Sequence, residues 1–119
     1  MSFMGRGSEE PKEIEFVDTA LDDLRAFPDD ARRDAGYQLD KVQNGEEPDD
    51  WKPFPTVGQG TREIRISDDG NAFRVMYIAK FDDKIHVLHC FEKKTKTTPK
   101  RDRDLAKKRY ASLKREFRK

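Results

Sequence analysis

Apolar and polar positions change period several times along the chain, and each change predicts an element. In Glu13-Ile14-Glu15-Phe16-Val17, Ile14 and Phe16 alternate with polar residues, which predicts a short strand. Asp18 then reads as a helix N-cap. Ala20, Leu21, Leu24 and Phe27 follow at helical spacing, and Pro28 stops that helix. Asp29 or Asp30 caps a second helix with the stripe Ala31, Ala35, Leu39 and Val42, ended by Asn44-Gly45. Two helices so closely joined form a hairpin.

From Glu46 to Gly60 the period is lost. This loop holds Pro48, Pro53 and Pro55, and Trp51 and Phe54 pin it to the core. Three strands are expected next, over Thr61–Ile66, Ala72–Phe81 and Lys84–Lys93, with turns at Asp68-Asp69-Gly70-Asn71 and Asp82-Asp83. They make an antiparallel meander. Thr98 caps a last helix with Pro99 in its first position. Its stripe is Ala106, Tyr110, Leu113 and Phe117. The order β-α-α-β-β-β-α predicts an α+β fold, with an antiparallel sheet packed against an N-terminal helical hairpin and followed by a C-terminal helix. Residues 1–12 show no period and read as a flexible tail. Residues 13–119 read as one domain, the size expected of a chain of 119 residues.

Composition changes this picture chiefly through the order of charges. Residues 1–50 carry 15 Asp/Glu against 6 Lys/Arg, and residues 51–92 carry 6 of each. Residues 93–119 carry 13 Lys/Arg against 3 Asp/Glu, so a chain of net charge +1 ends in a strongly basic segment. That segment is either a solvated helix face or a polyanion contact. No stretch is apolar enough for a membrane span, and the N-terminus lacks the apolar run of a secretory signal. The lone cysteine, Cys90, excludes a disulfide within the chain, so a cytoplasmic setting is expected.

Ordinary catalytic parts are few. His86 and His89 stand three apart in a strand and are expected on opposite faces, with Cys90 on the side of His86, so no metal site is predicted. Gly58-Gln59-Gly60 lacks the lysine and the helix of a phosphate loop. The sheet says more. Glu63 and Arg65 share one face of their strand. Arg74, Met76 and Ile78 share a face of the next, opposite Phe73, Val75 and Tyr77. Arginines and lysines gathered by a sheet repel one another unless an anion, or a carboxylate such as Glu63, relieves them. Two readings follow: edge lysines that block aggregation, or a phosphate-binding groove.

Three segments carry a resemblance: Arg62-Glu63-Ile64-Arg65, Ala72-Phe73-Arg74-Val75-Met76-Tyr77, and the run from Val87 through Phe91-Glu92-Lys93-Lys94-Thr95-Lys96-Thr97-Thr98-Pro99. With Leu105-Ala106-Lys107-Lys108-Arg109, they resemble the phage-derived, HigB-like branch of the RelE/ParE toxin superfamily, over roughly residues 13–117. The resemblance implies a RelE-like fold and the toxin of a type II toxin–antitoxin pair. Its partners would be a helix-turn-helix, HigA-like antitoxin, the ribosome and mRNA. RelE-type members cleave mRNA in the ribosomal A site without metal or other cofactor, by attack of the 2′-hydroxyl on the adjacent phosphate. On that reading Arg65, Arg74 and Lys93 or Lys94 surround the scissile phosphate; Lys93 and Lys94 differ in face, so only one joins Arg74. Tyr77, Lys96, Lys107, Lys108 and Arg109 would contact RNA, although Tyr77 also reads as core. ParE-like relatives share the fold and inhibit DNA gyrase instead, and a non-catalytic RNA- or ribosome-binding module is a third reading.

Overall fold

A computed structural model describes residues 10–118. Most of the expected N-terminal tail, residues 1–9, lies outside the described residues. Lys12 is already tethered: its N–H donates to the Gln43 carbonyl at 2.8 Å and its carbonyl accepts from the Gln43 side chain at 2.8 Å.

The described elements are β1 (Ile14–Phe16), α1 (Ala20–Arg25), α2 (Asp29–Gln43), β2 (Trp51–Pro53), β3 (Arg62–Asp68), β4 (Asn71–Ile78), β5 (Ile85–Lys93) and α3 (Lys100–Glu116). The strands form one sheet in the order β1-β5-β4-β3-β2. The β3-β4-β5 meander is antiparallel, as its alternation predicts. Two edges complete it. β1 joins β5 in parallel, Glu15 opposite His86, so the sheet is mixed rather than wholly antiparallel. β2, inside the expected loop, pairs with β3, Lys52 opposite Glu63. Pro53 is tolerated there because an edge strand leaves one side without a ladder bond.

Each sheet face has its own core. Ile64, Ile66, Phe73, Val75, Tyr77, Val87 and Cys90 pack against Ala20 and Leu24 of α1 and the Ala31-Ala35-Leu39-Val42 stripe of α2. On the opposite face Met76, Ile78, Leu88 and Phe91 pack against Ala106, Tyr110 and Leu113 of α3. The meander is therefore buried on both sides, and its strands are rigid supports for whatever they carry.

Turn and cap residues act as expected at most joints. Asp69 (φ 52°) and Gly70 (φ 81°) form the two-residue hairpin loop, where both positions need positive φ. Gly45 (φ 83°) follows α2. Three caps shift by one residue. Pro28 and Pro99 take the N-cap positions, placing Asp29 and Asp30 in the first turn of α2, where their charges complement the helix dipole. Thr19 rather than Asp18 precedes α1, and its hydroxyl accepts from Arg109 instead of capping.

A β-bulge between Met76 and Tyr77 changes the faces of β5. Both Leu88 and His89 lie on the α3 side: Leu88 packs with Ala106 and Leu113, and His89 bonds Asp102. His86 also meets the α3 end through Phe117. The expectation of opposite faces for His86 and His89, and of one face for His86 and Cys90, is thus overturned by the bulge. Among the described residues no group of His, Cys, Asp and Glu has the arrangement to hold a metal.

Candidate active site

Strand alternation sends Glu63 and Arg65 of β3, Arg74 of β4 and Lys93 of β5 to the α3 face, beyond the end of its apolar core. The register seats Arg65 opposite Arg74, and Lys52 opposite Glu63. Glu63 is fully buried. Its carboxylate lies 3.8 Å from Arg74 Nε and 3.9 Å from Lys52 Nζ. Neither of its oxygens, nor Arg74 Nε, has a hydrogen-bond partner among the described residues. Arg74, itself buried, spends Nη1 on its own strand, donating to the Phe73 carbonyl at 3.0 Å.

This is an unusual resting arrangement. Burying a carboxylate is costly unless it is paired and hydrogen-bonded. Here the pairing is electrostatic only, because 3.8–3.9 Å exceeds hydrogen-bond range. Arg74 and Lys52 lie within 4 Å of the buried carboxylate, Lys93 feels its charge, and Arg65 and Asp50 act on Arg74, so cations outnumber carboxylates in the cluster. Lys93 registers it: burial, then the adjacent Arg74, depress its pKa, and Lys52 and Arg65 act the same way while Glu63 opposes them. Burial likewise lowers that of Arg74, opposed by Glu63.

Next to the cluster a cavity of about 250 Å³ opens between the β2 loop and the β5–α3 loop. Lys52 and Lys93 border it on the cluster side, and Lys96 and Arg103 border it elsewhere. Phe54 and the hydroxyl-bearing Thr56, Thr97 and Thr98 complete its walls.

Of the sequence-predicted residues, the fold brings Arg65, Arg74 and Lys93 together and sets Lys96 on the adjoining cavity. Lys94 is exposed just past the end of β5, so Lys93 is the lysine that shares Arg74's face. Tyr77 is not at this site. It is buried on the α2 side, since residues at odd positions of β4 face the other core, and burial raises its pKa against the pull of Arg62. Arg109 is not available to RNA either, being 5% exposed. It donates to the Leu88 carbonyl and to Thr19 Oγ1, both at 2.8 Å, and lies 3.7 Å from Asp18. Lys107 and Lys108 are exposed on α3, and neither lines the cavity beside the cluster. Sequence reasoning missed Lys52, Phe54, Thr56 and Arg103. For Lys52, Phe54 and Thr56 the missing signal was β2, whose three residues are too few to show a period; Arg103, on α3, is one basic residue among many in its segment.

Arg109 belongs to a second charged group, formed where α1, β5 and α3 meet. His89 Nε2 and Asp102 Oδ1 are 2.7 Å apart, and the His89 ring stacks on Phe91. Asp23 lies 3.8 Å from His89 Nδ1 and 4.0 Å from Arg109 Nη1. Cys90 is buried and its thiol pKa is pushed far upward by burial, so it is no nucleophile. Gly58, in the Gly-Gln-Gly segment, lies against the Tyr110 ring with no room for a side chain, and the Tyr110 hydroxyl donates to the Gln59 carbonyl at 2.8 Å. That segment anchors the loop to α3 rather than cradling a phosphate. No described helix is long and apolar enough to cross a membrane.

No curated protein matches the chain. The profile of the family described as phage-derived protein Gp49-like matches residues 22–111, from α1 through most of α3 and across the whole cationic cluster. The chain therefore belongs to the phage-derived Gp49-like family, part of the RelE/HigB-like toxin group.

Proposed function

We propose that the chain is the toxin of a type II toxin–antitoxin pair and that it cleaves mRNA on the ribosome, by metal-independent attack of a 2′-hydroxyl on the neighbouring phosphate. The observation that carries this reading is the Glu63 cluster: cations gathered around a buried carboxylate with which they make no hydrogen bond, so that Arg74 Nε and both Glu63 oxygens stay without a partner among the described residues. Such a preorganised array suits a phosphate that gains negative charge in a pentavalent transition state. Arg65 and Arg74 would hold the non-bridging oxygens, where charge-assisted hydrogen bonds are strongest. Lys93 would accept the 2′-hydroxyl proton, since its charged form is disfavoured where it stands. The 2′-oxygen bonds to phosphorus as the bond to the 5′-oxygen breaks and a general acid protonates that oxygen, leaving a cyclic phosphate and a 5′-hydroxyl. A helix-turn-helix antitoxin would neutralise the chain by covering this face.

The test is mapping of RNA 5′ ends after incubation of the purified protein with ribosomes and mRNA. New 5′-hydroxyl ends that persist with free RNA in EDTA support the reading. Growth arrest with intact mRNA and inhibited DNA supercoiling would replace it with gyrase inhibition. Ribosome binding without either effect would leave a non-catalytic module.

A further inference from the structure

The cavity beside the cluster differs in kind from the cluster itself. Its walls hold four cations and no carboxylate, an aromatic ring and three hydroxyls. By contrast, the cavity at Tyr77 carries Glu46 and Glu47 among its walls. Lys93, Lys96 and Arg103 form no ion pair with a described carboxylate. Phe54 is half-buried and packs against the core that holds Val57 and Met76. Its backbone is fixed on both sides: its N–H donates to the Thr61 carbonyl at 2.8 Å and its carbonyl accepts from Val57 N–H at 3.2 Å. The opposite wall is shaped by Thr95 Oγ1, which donates to the Thr97 carbonyl at 2.6 Å.

We infer that this cavity is a subsite for one nucleotide of single-stranded RNA, adjacent to the cleaved phosphate, with the base on the Phe54 ring and the flanking phosphate on Lys96 and Arg103; this rests on the RNA reading above. Size favours a single nucleotide, because about 250 Å³ lies below the usual range of drug-sized pockets. The ring favours an unpaired strand, since a base can lie on an aromatic side chain only when it has left its own stack. A rigid platform raises affinity because little freedom is lost on binding. The threonine hydroxyls can both donate to and accept from ribose and base edges. Lys52 and Lys93 border both the cavity and the Glu63 cluster, so a nucleotide seated here delivers its neighbouring phosphate to Arg65 and Arg74.

Binding of a labelled 2′-O-methyl RNA oligonucleotide, which cannot be cut, tests this by fluorescence anisotropy. The same strand with an abasic position and inorganic pyrophosphate are the comparison probes. The intact strand should bind about tenfold more tightly than the abasic one, the scale of one base stacked on one ring. Phe54→Leu should erase that preference while leaving abasic binding unchanged, and Arg103→Gln should weaken both strands. Phe54→Tyr keeps the ring and should keep the preference, which covers the case of a poorly folded leucine variant. Pyrophosphate should compete with both strands, since each seats a phosphate on Lys96 and Arg103. Equal affinity for the two strands, or a preference that survives Phe54→Leu or is lost in Phe54→Tyr, would overturn the subsite in favour of a plain charged patch. A chain that binds as described but cleaves nothing keeps the subsite and loses the nuclease reading. A chain that cleaves without base preference loses only the subsite.

Discussion

Two buried charged groups flank α3, and they solve the same problem differently. Around Arg109, every basic side chain has carboxylates beside it: Asp18, Asp23 and Asp102 face Arg109 and His89, and three contacts at 2.7–2.8 Å tie α1, β5 and α3 together. Around Glu63, cations outnumber the carboxylate, and among the described residues no ion pair to it is closer than 3.8 Å. The first arrangement spends most of its hydrogen bonds on the fold, with Arg109 Nε and His89 Nδ1 left over. The second holds them back, which leaves them for a ligand. Burial alone did not distinguish Arg74 from Arg109, both under 10% exposed; the partners did.

The comparison breaks most visibly in activity. Arg74→Lys keeps the charge over Glu63 but loses the planar fork, so cleavage should fall on the order of 100-fold, the usual loss for one preorganised donor to a developing anion. Urea denaturation should show a small change in stability. The corresponding Arg109→Met variant should do the reverse. Removing one partner of a buried pair costs roughly 3 kcal/mol, visible as a lowered denaturation midpoint, while the cleavage rate of the folded fraction stays close to the parent's. If Arg74→Lys unfolds the protein and Arg109→Met silences it, the two groups have been assigned the wrong way round.

Lys93 sharpens the contrast through pH. Its pKa is depressed in the folded protein, by burial first and by Arg74 next. The unfolded chain therefore binds more protons between the folded value and the ordinary lysine value, and stability rises with pH through that window. Below it the half-exposed charge, crowded by Arg74, is a standing penalty. Lys93→Met should accordingly raise the melting temperature at neutral pH while abolishing cleavage. A fall in melting temperature would show that Lys93 supports the fold. Glu63→Gln acts on the same group from the other side. Glu63 is the carboxylate that opposes the depression, so its neutralisation should lower the Lys93 pKa further and move the acid limb of the pH–rate profile to lower pH. It should also tighten pyrophosphate binding by a few-fold. A profile that does not move removes Glu63 from the electrostatics of the site.

Much of this architecture is legible in the sequence because its causes are local. The 3.6-residue stripe of α2, the alternation of β3 and β4 and the Asp69-Gly70 turn each need only neighbouring residues. That alternation also put Glu63 with Arg65 on one face of β3 and Arg74 with Met76 on one face of β4, and the β3–β4 register brings those two faces together. What failed depended on partners distant in the chain. β2 exists because Trp51–Pro53 finds the edge of β3. The faces of His86, His89 and Cys90 depend on a bulge that one strand cannot reveal. Arg109 sits in a run of three basic residues, Lys107-Lys108-Arg109, that look alike in the sequence, and only the position of Leu88 and Thr19 shows that its side chain turns inward. Tyr77 has the residue type of a base-stacking platform, yet strand parity sends it to the α2 core, and Phe54 in the irregular loop takes the place beside the cations.

The smallest expected effect concerns the outward neighbours of Arg109. Lys107 and Lys108 are exposed and stand apart from the cavity, so any part they play is long-range attraction to RNA phosphates. Replacing both with Gln leaves the helix intact, since glutamine is nearly as good a helix former as lysine. If each lysine neutralises one phosphate, the slope of log affinity against log salt should decrease by about 0.7 per residue for a single strand. Affinity should weaken evenly for intact and abasic strands, because a phosphate contact carries no information about the base. An unchanged slope would make the pair a solvated helix face. A loss confined to the base-bearing strand would instead place them at the Phe54 subsite, which their position on α3 argues against.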